Sequence, residues 1–211
     1  MRKDGAGVPD QNPLSRGQGF GVVSAPDDDA WLAARTGNGD REAYTVLVRR
    51  HLPRVMALTR RMLGNDAFAE EVAQEALLRL WTQAGRYDPE KARLTTWLTK
   101  ITANLCLDRL RKREEEAWPE DFDIPLPASQ ERKLMEDQVA ARVDKALRTL
   151  PERQRLALIL CHYEEMSMAE AAGVMETTPE AIESLLSRAR RSLKQTLEPE
   201  WRNLLAEDNT V

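Results

Sequence analysis

Along most of this chain the apolar residues recur three and four positions apart, the spacing that gathers them on one face of an α-helix. No stretch alternates as a half-buried strand does, so the pattern predicts an all-α protein. Asp27-Asp28-Asp29 opens a first helix, with acids at the end the helix dipole favours, and Trp31, Leu32 and Ala34 belong to it. Thr36-Gly37-Asn38-Gly39-Asp40 closes it. A second helix over Arg41–Leu63 carries a stripe of Tyr44, Leu47, Val48, His51, Val55, Leu58 and Met62. Pro53 lies inside it and is expected to bend or divide it, because proline donates no bond to the preceding turn. After the stop at Gly64-Asn65, Asp66 is expected to cap a third helix reaching to about Ala84, with Phe68, Val72, Ala73, Ala76, Leu77, Leu80 and Trp81 inward. The opposite face carries Glu71, Gln74, Glu75, Leu78 and Arg79. A fourth helix over Leu94–Arg113 turns Leu94, Trp97, Leu98, Ile101, Leu105 and Leu110 to the core. It leaves Thr95, Thr96, Lys100, Asn104, Asp108, Arg109, Arg111 and Lys112 for solvent or a partner.

The pattern breaks between Glu114 and Ser129, where three glutamates, Trp118-Pro119 and Ile124-Pro125-Leu126-Pro127 cannot continue a helix. This predicts an extended acidic linker between two small helical domains, 27–113 and 131–198, flanked by tails at 1–26 and 199–211. In the second domain Leu134, Val139, Val143, Ala146, Leu147 and Leu150 make one stripe, and Leu156, Ala157, Ile159, Leu160 and Tyr163 another after Pro151. Two helices then meet at Glu176-Thr177-Thr178. The first runs over Met168–Met175. The second begins with Pro179 at its first position, with Thr178 able to cap its free N–H groups. Ile182, Leu185, Leu186 and Ala189 form its apolar side, and Trp201, Leu204 and Leu205 can extend it. Such a helix-turn-helix can lay its second helix in the major groove of DNA, or be an ordinary pair of packed helices.

Charge sharpens this choice. The formal net charge is −4, so the chain is not globally basic. Locally, Lys91–Arg113 holds seven basic residues against one acid, Glu114–Asp137 nine acids against two basic residues, and Ser184–Leu197 four basic residues and no acid. Two separate basic patches suit two contacts with a polyanion. Cys106 and Cys161 sit in apolar helical patterns and read as small buried hydrophobes of a cytoplasmic protein. With His51 and His162 the only histidines, no metal or catalytic centre is supplied, and no cofactor is expected. No apolar run reaches the roughly 20 residues of a membrane span, and no apolar segment follows the first basic residues to make a signal peptide.

Three stretches resemble the bacterial extracytoplasmic-function (ECF) sigma factors of the sigma-70 family: EEVAQEALLRLWTQAGRYDP (70–89), TTWLTKITANLCLDRLRKR (95–113), and Leu147–Leu193 with its helix-turn-helix. The resemblance implies an alternative sigma factor with no catalysis of its own. Its region-two domain would open the minus-ten element and its region-four domain would bind the minus-thirty-five element. Partners implied are core RNA polymerase (β′ clamp and β subunit), promoter DNA, and an anti-sigma protein acting in a stress response. Glu71, Gln74, Glu75, Leu78 and Arg79 correspond to the polymerase-clamp face, and Asn104, Asp108, Arg109, Arg111 and Lys112 to the promoter-melting helix. The loop before that helix, 86–93, would help receive a flipped base. Trp97 would stack on DNA by the same resemblance, whereas its spacing places it in the core.

In the recognition helix the resemblance selects Thr178, Glu180, Glu183, Ser184, Ser187, Arg188 and Arg191. Here the chain departs from the common family pattern, which has glycine at Glu176 and Glu180 and Lys or Arg at Glu183 and Leu185. No promoter sequence is transferable on that basis. The alternative is a free-standing helix-turn-helix regulator with an N-terminal effector domain, which needs neither the basic fourth helix nor the Gln74-Glu75 face. An enzyme is disfavoured by the shortage of histidine and the lack of a phosphate loop or paired catalytic acids.

Overall fold

A computed structural model describes residues 28–115 and 142–207, with side chains over 28–113 and 142–198. The expected N-terminal tail, the linker beyond Glu115 and the residues from 208 onward lie outside the described residues, as do Leu134 and Val139 of the predicted stripe. Every described secondary-structure element is helical: α1 (Asp28–Gly37), α2 (Arg41–Leu63), α3 (Asp66–Gln83) with a 3-10 turn (Ala84–Arg86), α4 (Leu94–Glu115), α6 (Glu152–His162), α7 (Met168–Val174) and α8 (Pro179–Glu207). The described part of α5 is residues 142–148.

Helix ends follow local chemistry. Asp40 caps α2 by accepting from the backbone N–H groups of Glu42 (2.9 Å) and Ala43 (3.1 Å). The Ala43 bond, then the Arg35 guanidinium, hold its carboxyl below the usual range. Gly64 ends α2 in the left-handed region at φ 66°, its N–H returning 2.9 Å to Arg60 O. That glycine leaves Asn65, not Asp66, extended and in the capping position of α3, accepting from the Phe68 N–H at 3.0 Å. Asp66 becomes a first-turn acid paired with Arg60 at 3.1 Å. Pro53 does not divide α2, which is one continuous helix. It sits on the exposed side, where the carbonyl it leaves unpaired can be hydrated. The α7 N-terminus is a capping box between Ser167 and Glu170.

α1–α4 enclose Leu47, Leu58, Met62, Leu80, Leu94 and Leu98, and α5–α8 enclose Leu147, Leu156, Ile159, Leu160, Val174 and Ile182, all essentially inaccessible to water. Each contributes roughly 2 kcal/mol by leaving solvent. Gly37 lets α1 lie directly on the 3-10 turn, since a Cβ there would come within 2.7 Å of the Gly85 backbone nitrogen. Trp97 is half-buried against the core, its ring 5.7 Å from Tyr87, as its spacing indicates. Cys106 is buried but Cys161 only half-buried, because α6 turns it to the margin of the second domain.

The two domains pack on each other. The carbonyl end of α2 receives two arginines from the second domain: Arg148 donates to Gly64 O (3.0 Å) and Arg155 to Met62 O (2.5 Å). Arg155 also donates to Arg148 O (2.7 Å) and Leu150 O (3.0 Å). Arg54 pairs with the buried Glu164 carboxylate and donates to its carbonyl at 3.1 Å, and Arg61 lies 4.1 Å over the Tyr163 ring. Cations suit this place, because a helix C-terminus carries unpaired carbonyls and partial negative charge.

Candidate polymerase and nucleic-acid interfaces

Three helical faces present the residues singled out from sequence. On α3, burial of Val72, Ala73, Ala76, Leu77 and Leu80 fixes the helix rotation and sends Glu71, Gln74 and Leu78 outward. Glu75 and Arg79 flank them half-exposed and pair one turn apart at 2.9 Å. Leu78, 52% exposed, is a large apolar side chain in the middle of this polar face.

On α4, Asn104, Asp108, Arg111 and Lys112 are exposed and share one stripe at spacings of four, three and one. Lys100 begins the same stripe one turn earlier. Asp108 pairs with Arg111 at 3.0 Å, which orients the guanidinium along the helix surface. Arg109 does not join them. About 100° round the helix from Asp108, it turns to α3, where its guanidinium lies 3.8 Å over the Phe68 ring and its Nε 3.8 Å from Glu71. Only 17% of its side chain is exposed. This differs from the solvent-facing place that its charge predicts, and a cation–π contact at a half-buried ring is the reason.

On α8, Ile182, Leu186 and Ala189 are buried, and Glu180, Glu183, Ser184, Ser187, Arg188 and Arg191 are exposed on the other side. Thr178 is exposed and accepts the Ala181 N–H at 3.3 Å, so its hydroxyl is engaged as a cap. Glu180's own backbone N–H, then the Thr178 hydroxyl, hold the Glu180 carboxyl below its usual range. Glu183 is free of that cap, and glutamate can accept from cytosine N4 in a major groove. Arg190, on the next flank, lies 3.3 Å from His162 of α6. Cys161 and His162 diverge, one half-buried and one exposed, and among the described residues no metal-holding group of three His, Cys, Asp or Glu side chains forms.

Comparison with known proteins gives these faces a context. The family model for Sigma-70 region 2 matches residues 47–116 and that for Sigma-70, region 4 matches residues 140–193. The ECF RNA polymerase sigma factor SigM of Mycobacterium tuberculosis is 32% identical over 181 residues, 85% of this chain and 89% of the relative. The chain belongs to the ECF sigma factors. SigE of Mycolicibacterium smegmatis is likewise 32% identical, over 83% of this chain and 70% of its own length. The fold is similar to CnrH in complex with the cytosolic domain of CnrY, with TM-score 0.62, 26% identity, and coverage of 82% of this chain and 98% of that one. It is also similar to the sigma factor RpoE in complex with the anti-sigma factor NepR from Bartonella quintana, with TM-score 0.61, 25% identity, and coverage of 74% and 96%. A region-two domain in the first half decides against the free-standing regulator.

For this sigma factor the sequence pattern left the joint between the domains unread. Arg148 and Arg155 look like solvent-facing cations in helical stretches, and nothing in periodicity pairs them with carbonyls some 90 residues earlier. One signal was available. Glu176 departs from glycine in a turn where the structure has φ 50°, and its carboxylate lies 3.0 Å from Lys100 of α4.

Proposed function

We propose that this sigma factor binds core RNA polymerase through the α3 face, at the β′ clamp, and with a β-subunit contact by the second domain. It then directs the enzyme to promoters, with α4 opening the minus-ten element and α8 reading the minus-thirty-five element. The observation that carries the reading is the pairing, in one chain of this family, of two exposed polar stripes on separate domains, each backed by a buried apolar stripe.

The chemistry is recognition and strand separation without covalent steps. Arg111 and Lys112 hold backbone phosphates, and Asn104 and Asp108 offer hydrogen bonds to base edges. Unstacking a base costs a few kcal/mol, which phosphate contacts and polymerase binding offset. On α8, Glu183, Ser184 and Ser187 face bases, while Arg188 and Arg191 reach the backbone at the groove edge. Arg109 supports this surface by fixing α4 on α3.

The domains proposed for these roles are 27–113 and 131–198, and the place of action is the cytoplasm. No helix among the described residues is long and apolar enough to cross a membrane. Control by an anti-sigma protein, in a stress response, belongs to the same proposal, supported by the similar RpoE, which is in complex with the anti-sigma factor NepR. Run-off transcription with core polymerase across a genomic promoter library tests the reading. Transcripts from defined start sites that depend on this protein are expected, and their absence across the library refutes it.

A further inference from the structure

The turn between α7 and α8 places a glutamate where the backbone adopts a conformation that glycine takes without steric cost. Glu176 has φ 50°, in the left-handed region that side chains disfavour. Any small or polar residue tolerant of that region would close the turn. What a glutamate adds is its carboxylate, and that carboxylate is 3.0 Å from the Lys100 Nζ of the other domain. Lys100 heads the α4 stripe that continues through Asn104, Asp108 and Arg111. At the opposite end of α7, Glu170 is held ionised by the Ser167 backbone and hydroxyl, and the positive charge of Arg93 acts on it too. Glu176, in the turn after α7, thus pairs with a cation of α4, and Glu170, in the first turn of α7, feels the charge of a second cation just before α4.

We propose that α7 is an internal competitor for nucleic acid at α4. Glu176 gives Lys100 a carboxylate in place of the backbone phosphate it takes when the domains part. Glu170 sets a second negative charge opposite Arg93, so the first turns of the melting helix open to DNA only when the second domain leaves. This rests on reading α4 as the minus-ten face.

The test uses the full chain and a mixed-sequence single-stranded DNA 20-mer, with dissociation constants measured across a salt series. Glu176→Gln removes the charge and keeps the size. Glu176→Gly removes the charge and also relaxes the turn. Both are expected to bind about threefold more tightly, the scale of one exposed ion pair. The slope of log affinity against log salt should steepen by about 0.7, the contribution of one more phosphate contact on a single strand. A merely structural role for Glu176 leaves that slope unmoved. Arg111→Gln, on the same stripe but away from α7, tests the α4 reading by itself. If Arg111→Gln weakens binding while both Glu176 variants match the parent in affinity and slope, the competitor is overturned and the α4 reading stands. If Arg111→Gln also binds like the parent, both are overturned.

Discussion

Replacing Arg155 with methionine should destabilise the full chain by about 3 kcal/mol. Arg155 is only 8% exposed and donates to three carbonyls: Met62 O at 2.5 Å, Arg148 O at 2.7 Å and Leu150 O at 3.0 Å. A hydrogen bond from a charged donor contributes about 1.5–3 kcal/mol, so the three together amount to roughly 4.5–9 kcal/mol. Two opposing effects reduce that sum. Burial disfavours the charged guanidinium, pushing its pKa down, and its Nε–H finds no acceptor among the described residues, at a cost of about 1–3 kcal/mol. Methionine preserves the packing of the stem and leaves the three carbonyls without their donor. Urea unfolding followed by tryptophan fluorescence and circular dichroism measures the difference. Arg155→Lys should recover only part of the loss, because an ammonium cannot match the planar fork that spans three acceptors. A loss under about 1 kcal/mol for the methionine variant would show that water or rearranged backbone serves those carbonyls equally well, and would refute the reasoning.

Gly64→Ala should cost about 3 kcal/mol. Part is the left-handed backbone at φ 66°, and part is displacement of Arg148, whose Cδ lies 2.3 Å from the position of the added Cβ. In an Arg148→Ala background the cost should fall to about 1 kcal/mol, and equal costs in the two backgrounds would remove the clash from the account. His51 is 4% exposed and lies 2.9 Å from Asp29, and burial, opposed by Asp29, holds its pKa below the ordinary histidine value. The unfolded chain therefore binds the extra proton first. Stability from this site is full above about pH 6.5 and declines as pH falls through the lower folded value. His51→Gln should flatten that acid limb, and an identical pH profile for the variant would contradict the assignment. Leu78→Ala should leave stability within about 0.5 kcal/mol while weakening core-polymerase binding about tenfold, and unchanged affinity in a titration would remove Leu78 from the interface. Burial pushes the Cys106 thiol up to about 12, so a disulfide reagent at pH 8 should modify only the half-buried Cys161 in the native chain. Modification of both thiols without unfolding would contradict that.

The helices were legible because their signals are local. Asp40, Gly64 and Thr178-Pro179 mark ends through bonds within four residues, and the three-and-four spacing of Leu47, Leu58 and Met62 fixes which side is buried. The misreadings occurred where neighbours compete or where the partner is remote. Asn65 and Asp66 can both cap α3, and the left-handed Gly64 before them decides for Asn65. Arg109 and Arg111 are the same residue type two positions apart, yet one packs on the Phe68 ring and the other stays exposed beside Asp108. That difference is set by where α3 lies, which periodicity along α4 does not encode. The exposed stripes on α3 and α8 could be read by subtraction, as what remains opposite the apolar positions. The joint between the domains could not, because its partners are backbone carbonyls exposed only by the way α2 ends.

That joint has to be conditional if the proposed function holds. Minus-ten and minus-thirty-five elements lie roughly 25 base pairs apart, or about 85 Å at about 3.4 Å per pair. Packed together, the 88 described residues of the first domain and the 66 of the second make a body roughly 40 Å across. The 26 residues 116–141 can span ~90 Å at full extension, just enough for the separation. Both faces therefore cannot sit on their elements while Arg155 holds Met62 and Lys100 holds Glu176. Each side-chain bond across the joint has another partner available on release. When the domains part, Arg155 keeps Arg148 and Leu150 as acceptors, Met62 O and Gly64 O pass to water, and Lys100 is freed for a phosphate. Exchanging a protein acceptor for water costs about 1.5–3 kcal/mol per bond from a charged donor, and the apolar cluster that runs through both domains adds to the cost of parting them. The arginines on helix-end carbonyls thus set the register of the domains, and contacts with polymerase and DNA have to offset both the polar and the apolar cost before the joint opens.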